Sequence, residues 1–137
     1  MIRGFLDTNI LLYSISSAAA EARKRDIVRE LLALDDWGLS VQVLQEFYVQ
    51  ATRASRPDAL PHDLAADFVR VWLRFQVQDV TAGILARALE IKAAHGFSYW
   101  DSAVVAAALA LGAPKLYSED LSHGRVVEGM EIVNPFV

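Results

Sequence analysis

The stretch Arg3-Gly4-Phe5-Leu6-Asp7-Thr8-Asn9 decides the fold. Residues 2–6 are short, apolar and weakly alternating, which reads as a buried first strand. Asp7-Thr8-Asn9 then reads as a turn or a helix cap, because each side chain can bond a free backbone N–H. A short helix follows over 10–16. A stronger helix is predicted over 20–34, with Ile27, Val28, Leu31, Leu32 and Leu34 at helical spacing. Asp35-Asp36 breaks it. Residues 37–41 make a second strand, and 42–53 a helix. Two prolines mark 55–61 as a loop. Residues 62–75 form an amphipathic helix with Leu64, Phe68, Val71, Trp72 and Phe75 inward. A third strand lies within 75–80, and Thr81 caps a helix over 82–94 that stops at His95-Gly96. The alanine-rich helix 99–111 ends at Gly112 and Pro114. Residues 115–117 and 131–133 are the fourth and fifth strands. Short apolar strands alternating with helices predict an α/β sandwich around a mainly parallel sheet.

At 137 residues, 54% of them hydrophobic, the chain is expected to be one domain over 1–137. A domain of this size buries roughly 68–70% of the surface its unfolded chain exposes. There is no cysteine, so disulfides, thiolate metal sites and cysteine nucleophiles are excluded, and a reducing, cytoplasmic setting is expected. The longest apolar stretch, 103–113, is too short to cross a membrane. The start of the chain lacks the long apolar segment of a signal peptide. A formal charge of −4 argues against non-specific duplex binding. Arg23, Lys24, Arg25 and Arg29 nevertheless cluster in one segment and offer a local basic strip.

Four acids stand where buried elements begin or end: Asp7, Glu46, Asp101 and Asp120. In open α/β sheets, ligands bind beyond the carboxyl ends of the strands, and Asp7 and Asp120 both follow a predicted strand. A carboxylate among apolar neighbours is costly unless its charge is compensated. If the fold gathers the four, the natural compensator is a hard divalent cation held by oxygen ligands. Each acid also has an ordinary reading. Asp7 fits a helix cap, Glu46 an exposed helix position, and Ser98-x-x-Asp101 a capping box. Asp120 fits a turn, and Glu119 beside it is the rival ligand. Asn9 and Ser118, with Thr8, are donors that can orient carboxylates or simply form turns. The tryptophans and phenylalanines are expected in the core rather than as a stacking platform. Tyr99 and Trp100 point to burial around Asp101.

Four segments carry a family resemblance: Phe5-Leu6-Asp7-Thr8-Asn9, Val43-Leu44-Gln45-Glu46-Phe47, Ser98-Tyr99-Trp100-Asp101-Ser102-Ala103, and Leu116-Tyr117-Ser118-Glu119-Asp120-Leu121 with Ser122-His123-Gly124. In this order they resemble the PIN-domain ribonucleases, most of all the VapC-like toxins of type II toxin–antitoxin systems. The resemblance implies a three-layer sandwich with a central parallel sheet of about five strands. It implies an endoribonuclease using Mg²⁺ or Mn²⁺, with Asp7, Glu46, Asp101 and Asp120 as catalytic and metal-binding acids and Asn9 and Ser118 supporting them. It also implies a homodimer, an RNA substrate and a small cognate antitoxin as partner.

The mechanism expected on this basis is hydrolysis of RNA phosphodiester bonds by metal-activated water. Two rivals remain open at the level of sequence. An aspartyl-phosphate phosphatase would need an acid two residues after its nucleophile, where Asn9 stands. A non-catalytic α/β binding module with an acidic pocket would bind metal without cutting RNA.

Overall fold

The computed structural model describes all 137 residues. Strand β1 (Gly4–Leu6) is followed by α1 (Thr8–Ser14), a 3₁₀ turn over Ala19–Glu21, and α2 (Ala22–Leu32). Then come β2 (Trp37–Ser40), α3 (Val41–Ala51), α4 (His62–Trp72) and β3 (Gln76–Gln78). The chain continues through α5 (Ala82–His95), α6 (Tyr99–Ala110), β4 (Lys115–Tyr117), β5 (Val126–Val127) and β6 (Met130–Val133). The sheet order is β3-β2-β1-β4-β6-β5. Every neighbouring pair is parallel except β5 with β6.

The first two crossovers step outward from β1, to β2 and then β3. The third returns to the other side of β1 and places β4 there. Because parallel crossovers are right-handed, α1–α4 lie on one face of the sheet and α5–α6 on the other. The contacts agree: α1 packs on α2 and α3, α3 on α4, and α5 on α6. The result is the three-layer arrangement expected from the sequence. The gap between the C-terminal ends of β1 and β4 is the topological switch point, where such sheets hold their ligands.

The core runs through both layers, with Phe5, Leu6, Trp37, Leu39, Phe47, Leu116 and Ile132 fully buried. Gly4 has a packing reason: a Cβ there would come within 2.8 Å of the Tyr117 ring and 3.2 Å of the Lys115 carbonyl. That close approach lets Tyr117 sit edge-on to Trp37, with ring centroids 5.3 Å apart.

Two expectations need correction. The sheet has six strands, not about five. The extra one, β5, is two residues long and folds back on β6 through Glu128 and Gly129, whose φ angles of 49° and 88° suit the tight turn of a hairpin. Helix α4 turns Trp72 and Phe68 inward as expected, and Phe75 just beyond it packs on the core, but two of the residues expected inward are not there. Leu64 and Val71 are exposed at 44% and 47%, whereas Ala65 and Trp72 are buried. The helix is apolar on more than one side, and the close edge-on packing of Trp72 against Phe47, with centroids 4.7 Å apart, selects the stripe through Trp72.

Candidate active site

Asp7 sits at the switch point because β1 ends one residue before it. Its backbone N–H donates to the Tyr117 carbonyl at 3.0 Å, continuing the β1–β4 pairing. Its side chain caps α1: Oδ1 accepts from the Thr8 N–H at 2.8 Å. Oδ2 accepts from the Ser118 hydroxyl at 2.8 Å and faces the Asn9 amide at 3.3 Å. Capping and membership of the acid group are therefore the same placement. Burial pushes the Asp7 carboxyl up from 3.8 to about 6; the bonds from Ser118 and Thr8 pull it down, and the negative charges of Asp101 and Glu46 push it up.

Glu46 is on α3, which Ser40 caps by accepting from the Val43 N–H. Its carboxylate is fixed from two sides: Thr8 Oγ1 donates to Oε2 at 2.8 Å, and Gln42 Nε2 to Oε1 at 3.2 Å. Asp101 lies in the first turn of α6, and its N–H donates to the Ser98 hydroxyl at 3.2 Å, as the capping reading predicts. Its acidic side chain there also complements the positive end of the helix dipole.

Asp120 follows β4. Its N–H donates to Ser118 Oγ, and its Oδ2 accepts from Asn9 Nδ2, both at 3.1 Å. Asn9 also stands 3.1 Å from Ser118 Oγ and accepts the Glu119 N–H at 3.1 Å. Asn9 and Ser118 thus tie the end of β1 to the end of β4. Glu119 turns the other way. It pairs with Lys24 and accepts from Tyr13 Oη at 2.5 Å. Burial pushes its carboxyl up, but Lys24 and Tyr13 outweigh that and hold it below its usual range.

Asp7, Glu46, Asp101 and Asp120 all line one small pocket of about 130 Å³, with Thr8, Asn9 and Gln42 among its walls. Larger cavities lie elsewhere. One, of about 630 Å³, runs past Trp37 and Trp72; another of that volume lies between α3 and α4. Neither holds these acids, so chemistry rather than size identifies the site. No Lys, Arg or His lines the acid pocket. No three His, Cys, Asp or Glu side chains form a ready-made metal cage. The donor chemistry nonetheless fits a hard cation: the four acids offer only oxygen, and there is no protein cation to neutralise them.

The basic strip expected on α2 is largely committed elsewhere. Arg23 donates to the Phe136 carbonyl, Lys24 pairs with Glu119, Arg25 bonds Asp26, and Arg29 donates to the Ser14 carbonyl. Trp100 is 65% exposed at the pocket wall, against the expectation of burial. It lies in the first turn of α6, before the stretch Ser102–Ala108 that the fold buries, so its ring reaches past the end of the packed part of the helix. Gln42 escaped the sequence reading, although its position four residues before Glu46 is the spacing at which helix side chains meet. No helix is long and apolar enough to cross a membrane.

The family model of the PIN domain matches residues 4–128. No protein of curated function matches the chain significantly in sequence. Several solved structures are similar. Mycobacterium tuberculosis VapC20, described as a sarcin–ricin-loop-cleaving toxin, is 21% identical, with a TM-score of 0.66 over 85% of this chain and 90% of that one. A toxin–antitoxin complex from Klebsiella pneumoniae is 16% identical, with a TM-score of 0.70 over 96% and 97%. FitAcB from Neisseria gonorrhoeae is 17% identical, with a TM-score of 0.66 over 99% of each. At these identities the likeness is one of fold.

Proposed function

The chain belongs to the PIN-domain family, and on that premise we propose that it is a metal-dependent endoribonuclease acting as the toxin of a toxin–antitoxin pair. One observation carries the reading: four carboxylates from four separate segments line a single pocket that contains no basic residue. Such a pocket repels a phosphate unless a cation lies between them. The structural likeness to a toxin described as cleaving the sarcin–ricin loop and to toxin–antitoxin complexes supports RNA as substrate and a small antitoxin as partner. In the same reading the protein is a cytoplasmic homodimer.

Asp7, Glu46, Asp101 and Asp120 would hold Mg²⁺ or Mn²⁺. When bound, that ion supplies Lewis-acid stabilisation of the phosphate and a water activated for in-line attack. The protein's own part is orientation. Ser118 and Thr8 hold both oxygens of Asp7 in place. Thr8 and Gln42 do the same for Glu46. Asn9 reaches Asp120. Partners of this kind fix ligand geometry before substrate arrives. No His or Lys lines the pocket to serve as general base, which suits a reaction whose charge handling falls to the acids and their cation.

The test is cleavage of structured RNA in Mn²⁺ by wild type, Asp101→Asn and Glu46→Gln. Both variants should stay folded and lose cleavage at least about 100-fold, with Mn²⁺ affinity falling in parallel by calorimetry. Undiminished cleavage in excess chelator would refute the mechanism. Metal binding by the wild type without any RNA cleavage would favour a non-catalytic binding module.

A further inference from the structure

We propose that the groove on the far side of Trp100 from the acids is a stacking site for one base of single-stranded RNA, next to the scissile phosphate. This rests on the nuclease reading and adds a substrate subsite to it. Of the three tryptophans, Trp37 and Trp72 are buried, whereas Trp100 is 65% exposed. Its ring is not loose. It packs edge-on against Tyr99 with centroids 5.1 Å apart, and the backbone that carries it is anchored where the Trp100 carbonyl accepts from Gln42 at 3.3 Å. A large apolar ring held in place yet left in water is a preformed platform, because its burial energy is still available to an incoming partner.

Trp100 and Gln42 line both the acid pocket and a second cavity of about 230 Å³. The two spaces share a wall one residue from Asp101. The second cavity is smaller than the roughly 300–1,000 Å³ of pockets for drug-sized ligands, which suits a single ring system. Val80 and Leu85, exposed at 67% and 49%, give it an apolar side. Gln45, exposed and without a hydrogen-bond partner in the chain, gives it a free amide for a base edge. No Lys or Arg lines it. An aromatic face with an adjacent amide, and no cation, suits a base rather than a phosphate: unpaired bases stack on aromatic rings and bond along their edges. The site therefore selects RNA whose target segment is unpaired.

The test uses the Asp101→Asn background, so that RNA stays intact, with a fluorescein-labelled single-stranded RNA decamer in Mg²⁺. Anisotropy gives Kd and tryptophan emission reports stacking. Adding Trp100→Ala should raise Kd about tenfold or more and abolish the RNA-dependent quenching, while Trp100→Phe should keep most of the affinity. Equal Kd for all three would overturn the proposal. So would shielding of wild-type Trp100 from iodide before RNA is added, together with a smaller oligomer for Trp100→Ala; a second copy of the chain would then own the surface. The two readings fail differently. Wild type that never cuts RNA in Mn²⁺ refutes the nuclease. Wild type that cuts, while Trp100→Ala binds equally well, refutes the stacking site alone.

Discussion

Replacing Asp7 by Asn should stabilise the metal-free protein at neutral pH while removing its activity. Burial, with the charges of Asp101 and Glu46, raises the Asp7 carboxyl from 3.8 to about 6 despite the bonds from Ser118 and Thr8. At about 1.4 kcal/mol per pKa step, keeping it ionised in the folded state costs on the order of 3 kcal/mol. Between pH 3.8 and about 6 the folded state therefore holds more protons than the unfolded one. Stability falls as pH rises through that window, and the full cost is present above it. Asn carries no charge, so it escapes this cost. That cost already counts the bonds from Ser118 and Thr8, so what Asn gives up is only the fit of a neutral bond to Ser118, about 0.5–1.5 kcal/mol. The net gain is on the order of 2 kcal/mol, or roughly 6–10 °C in Tm. It should appear near pH 8 and vanish below about pH 4. Mn²⁺ should reverse the order. At a hundredfold excess over Kd it stabilises wild type by about 2.7 kcal/mol, and Asp7→Asn by much less. Thermal melts from about pH 4 to 8, with and without Mn²⁺, measure all of this. An Asp7→Asn protein that melts below wild type at pH 8 without metal, by a margin unchanged at pH 4, would refute the reasoning.

Ser118→Ala removes the hydroxyl that donates to Asp7 and accepts from Asp120; it should cost about 1–3 kcal/mol in denaturant melts and move the onset of cleavage to higher pH, because Asp7 loses a bond that lowers its pKa. Glu119→Gln should leave most of the cleavage rate, since that carboxylate faces Lys24 and Tyr13, whereas Asp120→Asn should reduce it; equal losses in a kinetic comparison would mean that Glu119 reaches the pocket. Gly4→Ala forces a methyl to 2.8 Å from the Tyr117 ring and should destabilise by about 1–3 kcal/mol; an unchanged Tm would show that the ring yields freely.

What could be read from residue order follows from how local the deciding interaction is. The helices were legible because their apolar spacing and their caps, such as Ser98 for α6 and Thr81 for α5, lie within a few residues. Asp7 was legible because β1 must end before a polar run. The convergence of the four acids could be motivated but not demonstrated, since the strand order that joins β1 to β4 is a long-range property. The inner side of α4 is legible at Phe68 and Trp72 but not at Leu64 and Val71, which fit the same helical spacing yet are exposed because contact with Phe47 sets the stripe through Trp72. Strand β5 is too short to show a period. The choice of Asp120 over Glu119 depends on Lys24, 95 residues away from Glu119 in the chain. Exposure of Trp100 is not legible because its apolar neighbours Ala103 and Val104, one turn on, are buried, while Trp100 lies in the first turn of α6.

Strand β1 has β2 on one side and β4 on the other, and β4 (Lys115–Tyr117) is made long after β1 (Gly4–Leu6). While a ribosome is still building the protein, residues 4–6 have one open edge, and the serine that steadies Asp7 does not yet exist. A harmful hydrolytic activity of the kind proposed would thus switch on only after β4 and Ser118 have emerged. Synthesis itself becomes the interval in which an inhibitor can arrive first.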